Sequence, residues 1–188
     1  MAWWTWVAPF VLAFVAKVLS YHFFYYDGFF YVYGSYVVCL PLYFLWGPRV
    51  FPGQLLAEVL TSNIVGIREP DIIFLHGLAN AVKPLLGYYL FIWLGGWKRK
   101  ETIDRNLIFL FGTLLIATSI ANYVLVGFRV GVGDVTAGQL LPRILKQTLR
   151  DCLWGYFVSY QVLNWLGPKL RPYNLSRWPP DIAKNPLE

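Results

Sequence analysis

Charge is scarce in this chain, and so are cysteine and histidine. Charged side chains make up 14% of its 188 residues, against roughly 25% in an ordinary soluble domain. The 9 Trp, 13 Tyr and 14 Phe together outnumber the 16 Lys and Arg plus 10 Asp and Glu. A water-soluble globule of this size has no means of covering so much apolar surface, and the mean hydropathy of +0.50 agrees. Disorder, a secreted disulfide scaffold and a cytosolic enzyme are thereby excluded as leading readings. The two cysteines, Cys39 and Cys152, lie far apart without metal-ligand spacing and read as small core residues. The two histidines, His22 and His76, belong to no motif and read as hydrogen-bonded structural residues. With no P-loop, no serine in a glycine-flanked elbow and no paired-cysteine motif, no catalytic group, metal or cofactor is expected. What remains is an integral membrane protein.

What is present is a series of apolar segments. A span needs about 20 apolar residues. Ala2–Phe24 qualifies, interrupted by Lys17, and its Trp-rich start without a basic region reads as a retained first span. Phe29–Trp46, Ile72–Leu94, Leu107–Phe128 and Leu153–Leu166 follow. Pro52–Val65, with Gln54, Glu58 and Asn63, reaches only about 20 Å as a helix and is a short or re-entrant membrane segment. From Gln139 to Asp151 an amphipathic helix carries a basic stripe of Arg143, Lys146 and Arg150, with leucines largely on the other side. The expected fold is all-α: a polytopic transmembrane bundle of about six segments over 1–167, then an extended, Pro-rich cytoplasmic tail over 168–188.

The net charge of +6 follows the same logic. Its cations sit in loops and the tail, where they orient helices and meet anionic lipid, so membrane lipids are the expected partners and nucleic acid is not. With six spans and both termini cytoplasmic, Arg49, Lys98–Lys100, Arg105 and the tail cations lie inside, with fewer cations outside. The expected location is the inner (plasma) membrane, multi-pass.

Ionisable groups within spans are expensive and should face inward and meet partners. Glu58, Asn63, His76, Asn80, Lys83 and Asp151 form the candidate ligand-or-switch network. His76, Asn80 and Lys83 share one helical face. Pro84 frees the carbonyl near Asn80, which a kink can direct into the bundle. Glu58 or Asp151 is the natural counter-ion for Lys83. The aromatic residues are explained by lipid-facing belts and helix packing.

At these polar positions the chain resembles a known family. Arg49-Val-Phe-Pro52-Gly53-Gln-Leu-Leu-Ala57, continuing to Asn63, resembles the R-x-x-P-G-x-x-L-A-x-x-x-x-N type of segment in the membrane-associated sensor domains of type one. Asn80-Ala-Val-Lys83-Pro-Leu-Leu-Gly87 resembles that family's N-x-x-E-x-L-L-G segment, and Asp151-Cys-Leu-Trp-Gly155 its D-x-x-G segment. The resemblance covers about residues 45 to 166 and implies a helical sensor module of a kind usually fused to histidine kinases or cyclic-dinucleotide enzymes. Lys83 stands where the family commonly has an acid, which inverts the local electrostatics. A stand-alone member would be a non-catalytic module acting through another polypeptide. Two alternatives are a structural accessory subunit of a respiratory or photosynthetic membrane complex and a small substrate-binding subunit of a transporter. Each makes other membrane protein subunits the expected partners.

Overall fold

A computed structural model of the chain describes residues 4–26, 29–64, 70–94, 103–131, 133, 135–170 and 173. The protein is an all-α bundle with six helices among the described residues: α1 (Trp4–Phe24), α2 (Gly34–Trp46), α3 (Val50–Ile64), α4 (Pro70–Trp93), α5 (Ile103–Gly131) and α6 (Leu140–Leu170). A small antiparallel hairpin, β1 (Tyr25–Tyr26) and β2 (Phe29–Phe30), joins α1 to α2.

Contacts along the helices fix their directions. α1 and α2 run antiparallel, with Trp4 edge-on to Trp46 at one end and the Gly34 amide donating to Ser20 Oγ towards the other. Gly47, at a φ of 74°, ends α2 in a left-handed turn that L side chains resist, and Pro48 turns the chain into α3. α3 then climbs beside α1 in parallel: a methyl group on Gly53 would lie 2.6 Å from the Trp6 carbonyl oxygen. α4 descends against α3, α5 rises against α4 with Phe109 near Phe91, and α6 descends against α5 with Tyr156 near Phe111. The six helices therefore alternate in direction. Trp4, Trp46, Trp93 and Trp165 all fall towards the end where α1 begins, and the hairpin caps the opposite end.

α2 is the axis of the bundle. Nearly every residue from Gly34 to Leu45 is buried, as suits a helix that is apolar all round. Phe44 packs edge-on to Phe91, and Gly155 of α6 lets Tyr36 and Leu40 approach so closely that a methyl there would lie 2.6 Å from Tyr36 Cε1. α1, α3, α4 and α6 pack around it, α5 packs on α4 and α6, and these helices turn apolar side chains outward. Val11, Leu19, Phe74, Ile120, Val124 and Phe157 are all exposed, while Lys17, Gln54, Glu58, Asn80, Lys83, Asn122 and Asp151 are buried. An apolar core is present as well, but so many buried charges beside so many exposed large apolar side chains are uncommon in a soluble domain.

Among the described residues, two helices are long and apolar enough to cross a membrane: Trp4–Phe24 and, within α5, Phe109–Gly131. The first window, near the N-terminus, is 22% buried and the second is 50% buried. Where about six spans are expected, six helices are described, and only two of them satisfy that criterion. The reasons are physical. α2 has 13 residues and α3 has 15, so each reaches only about 20 Å against a core of roughly 30 Å. α4 is interrupted by His76, Asn80 and Lys83, and α6 by Arg143, Lys146, Arg150 and Asp151. The expected span Phe29–Trp46 is corrected: its first residues form a strand, and the helix after it is a central core element. The amphipathic stretch before the last span and that span are one continuous helix, α6, which runs past residue 167 to Leu170. Lys98–Lys100 and most of the tail lie outside the described residues.

Candidate functional site

Among the described residues, two buried ion pairs join helices distant in sequence. On one side Lys17 of α1 donates to Glu58 Oε2 of α3 at 2.6 Å and lies 3.3 Å from the Glu58 carbonyl oxygen. The Thr61 and Ser62 hydroxyls turn back onto the same carbonyl, at 3.3 and 2.7 Å. On the other side Lys83 of α4 donates to Asp151 Oδ2 of α6 at 3.2 Å. These four side chains are at most 1% exposed. Taking such charges out of water costs several kcal/mol per ion, so each pair holds its helices together chiefly because separation would leave a lone buried charge.

Tyr33 stands between the pairs. It is the last residue before α2, and its hydroxyl donates to Glu58 Oε2 at 2.5 Å. The Lys17 and Lys83 ammonium groups lie 5.8 and 5.7 Å from its ring centroid. One aromatic side chain thus touches the carboxylate of the first pair and offers its electron-rich ring to the cations of both.

Arg150 extends the network towards the hairpin. Its Nε donates to Asp151 Oδ1 at 2.7 Å, and its Nη1 donates to the Phe30 carbonyl of β2 at 2.9 Å. The guanidinium also lies 5.2 Å from the Phe29 ring and 5.3 Å from the Tyr33 ring. Asn122 of α5 adds a fifth helix, its amide donating to Thr148 at 3.2 Å and to Asp151 Oδ2 at 3.5 Å. Three cations (Lys17, Lys83, Arg150) therefore meet two carboxylates (Glu58, Asp151), a surplus of one positive charge. Glu58 Oε1, Gln54 Oε1 and Asn122 Oδ1 are buried acceptors that no donor among the described residues reaches.

The expected counter-ion choice for Lys83 resolves to Asp151, and Glu58 belongs to Lys17 instead. Asn80 is buried and its amide lies 3.3 Å from His76 Nδ1, one turn away on the shared face. The carbonyl freed by Pro84 is that of Asn80, and it does turn inward, where Gln54 Nε2 of α3 lies 3.5 Å away. Asn63 is a correction: it is exposed, because five residues beyond Glu58 is about 140° around the helix. The basic stripe is also divided. Arg150 is committed to Asp151, while Lys146 lies over the Phe29 ring at 3.9 Å. His22 is exposed, and no group of three metal-ligating side chains occurs among the described residues.

The residues missing from the expected set are Lys17, Tyr33, Asn122 and Thr148. Lys17 carried a signal equal to that of Lys83, a lone cation within an apolar helix, and the rule applied to one applies to the other. Tyr33 carried none, being one of several tyrosines in an aromatic-rich stretch.

The chain matches no family model, and no curated protein or solved structure is significantly similar to it.

Proposed function

We propose that this chain is a multi-pass membrane protein, of about six segments with both termini cytoplasmic, that serves as a non-catalytic sensor or partner-interaction module. The membrane reading is supported by the outward-facing apolar residues, the inward-facing charges and the alternating helices with tryptophans gathered at one end. The short helices α2 and α3 fit a bilayer because neighbouring helices shield them.

The observation that carries the sensor reading is the link through Tyr33 and Arg150. A signal has to move helices relative to one another, and it does so only by favouring one of two packings. Here α1 with α3 and α4 with α6 are held by separate ion pairs that share Tyr33, and Arg150 ties one pair to the hairpin at the bundle's end. The spare acceptors on Glu58 and Asn122 give the network a second set of bonds to adopt without breaking its first. The resemblance of the segments around Glu58, Lys83 and Asp151 to membrane-associated sensor domains points the same way. In this reading the output lies on another polypeptide that the bundle contacts.

Native mass spectrometry of the protein from its own membrane in mild detergent tests the proposal. The expected result is a defined complex with a second polypeptide whose output changes in Lys83→Ala while insertion stays at the wild-type level. Unchanged output from an inserted Lys83→Ala protein would overturn the sensor role. Recovery as a fixed-ratio component of a large respiratory or photosynthetic assembly would favour the accessory-subunit reading.

A further inference from the structure

Among the described residues, nothing packs on one face of α6. Leu141, Leu145, Leu149 and Leu153 recur every fourth residue and are each more than half exposed. Lys146 borders the Leu149–Leu153 end of this stripe, and Arg143, three residues earlier, stands on the side of the helix away from Leu141 and Leu145. No carboxylate among the described residues pairs with either cation. Lys146 is nonetheless held in place. Its ammonium group lies 3.9 Å from the Phe29 ring centroid and 5.4 Å from that of Tyr31, so the hairpin forms an aromatic floor under the cation and leaves its outer side open. The same end of the bundle exposes Phe23, Tyr26 and Tyr31, aromatics of the kind that mark the headgroup level of a bilayer.

We infer that this part of α6 binds an anionic phospholipid, with its phosphate between Arg143 and Lys146 and an acyl chain running from Lys146 along Leu149 and Leu153. The inference rests on the membrane reading above and adds a ligand class to it. Charge complementarity selects the occupant: a neutral lipid would satisfy the leucines and leave both cations unpaired, and an acidic soluble ligand would do the reverse. Only an amphiphile with an anionic head meets both. Lys146 lies one helical turn before Arg150, so occupancy of the site bears on the residue that joins the hairpin to Asp151.

The test uses the full chain in nanodiscs and in mild detergent. Each cation near an anionic headgroup adds about fivefold to affinity at low salt. The wild type is therefore expected to retain phosphatidylglycerol over phosphatidylcholine in native mass spectra. Retention should fall at least tenfold in the double variant Arg143→Gln/Lys146→Gln and be preserved in Arg143→Lys/Lys146→Arg. In discs of phosphatidylcholine alone the glutamine variant should lose only the small stability owed to Lys146 over the Phe29 ring and still insert and fold, which separates lipid binding from folding. Equal retention of the two lipids, or unchanged retention in the double glutamine variant, overturns the inference while leaving membrane insertion intact. Displacement of the lipid by soluble glycerol phosphate at equal concentration overturns it in favour of a soluble anion. A dimer lost in the glutamine variant without bound lipid overturns it in favour of a second copy. Failure to enter bilayers at all would instead remove the membrane reading on which it stands.

Discussion

Lys17 and Glu58 are 41 residues apart in sequence and 2.6 Å apart in space, inside a bundle that turns its apolar side chains outward. Neither residue is stable there alone. Removing one partner of a buried pair costs about 3–5 kcal/mol, whereas replacing both with apolar residues of similar volume is often near neutral. Lys17→Met and Glu58→Leu should each lower the unfolding midpoint markedly in mild detergent. The double variant should recover most of the loss, a coupling a double-mutant cycle measures directly. If the two single losses simply add, the pair does not hold α1 to α3.

The second pair should respond differently, because Asp151 has more than one cation. Lys83→Met leaves Arg150 bound to Asp151 Oδ1, so the carboxylate keeps a counter-ion. Asp151→Leu removes the carboxylate of both Lys83, which is buried, and Arg150, which is partly so. The expected order of destabilisation is therefore Asp151→Leu above Lys17→Met, and Lys17→Met above Lys83→Met. Urea or SDS unfolding of the three variants gives that order or refutes it. Lys83→Met thereby becomes the variant of choice for separating signal from stability.

These pairs show how far the sequence could be read. An ionisable residue in an apolar run is legible, because its burial has few affordable solutions, and so Glu58, Lys83 and Asp151 stand out. Which acid meets which base is not legible, since it depends on which helices become neighbours. α3 packs on both α1 and α4, and only that arrangement gives Glu58 to Lys17. The break between Phe24 and Gly34 was equally hidden, because aromatic β-hairpin residues and aromatic span residues have the same composition. The inward turn of the Asn80 carbonyl could be foreseen, because Pro84 removes its intrahelical donor whatever the tertiary context.

Close helix approach at glycine gives a third expectation. A methyl on Gly53 would lie 2.6 Å from the Trp6 carbonyl oxygen and 2.9 Å from the Phe10 amide nitrogen, both backbone atoms that cannot step aside. Gly53→Ala should push α1 from α3 and cost about 1–3 kcal/mol, the usual range for overpacking. Gly112 is also helical, yet a methyl there meets nothing within 4 Å. Gly112→Ala should be neutral or stabilising by up to about 1 kcal/mol through helix propensity. Melting both variants side by side distinguishes a packing effect from a general intolerance of alanine.

The alternating helices make a last expectation about sidedness. Cys39 and Cys152 are both fully buried, the latter beside Thr118 with its Sγ 3.1 Å from the hydroxyl oxygen. Neither should react with a membrane-impermeant maleimide in the folded protein, so engineered cysteines can be read against a silent background. Tyr26, in the hairpin, is 75% exposed, and Trp93, at the far end of α4, is 80% exposed. If the helix ends mark the two faces of a bilayer, Tyr26→Cys and Trp93→Cys lie on opposite sides. In sealed right-side-out vesicles the hairpin site should label at once, and the Trp93 site only after permeabilisation. Labelling of both from outside would mean that α4 does not cross, and the six-segment arrangement would fall. Labelling of Trp93→Cys alone would keep the crossings and invert the orientation, placing the hairpin in the cytoplasm.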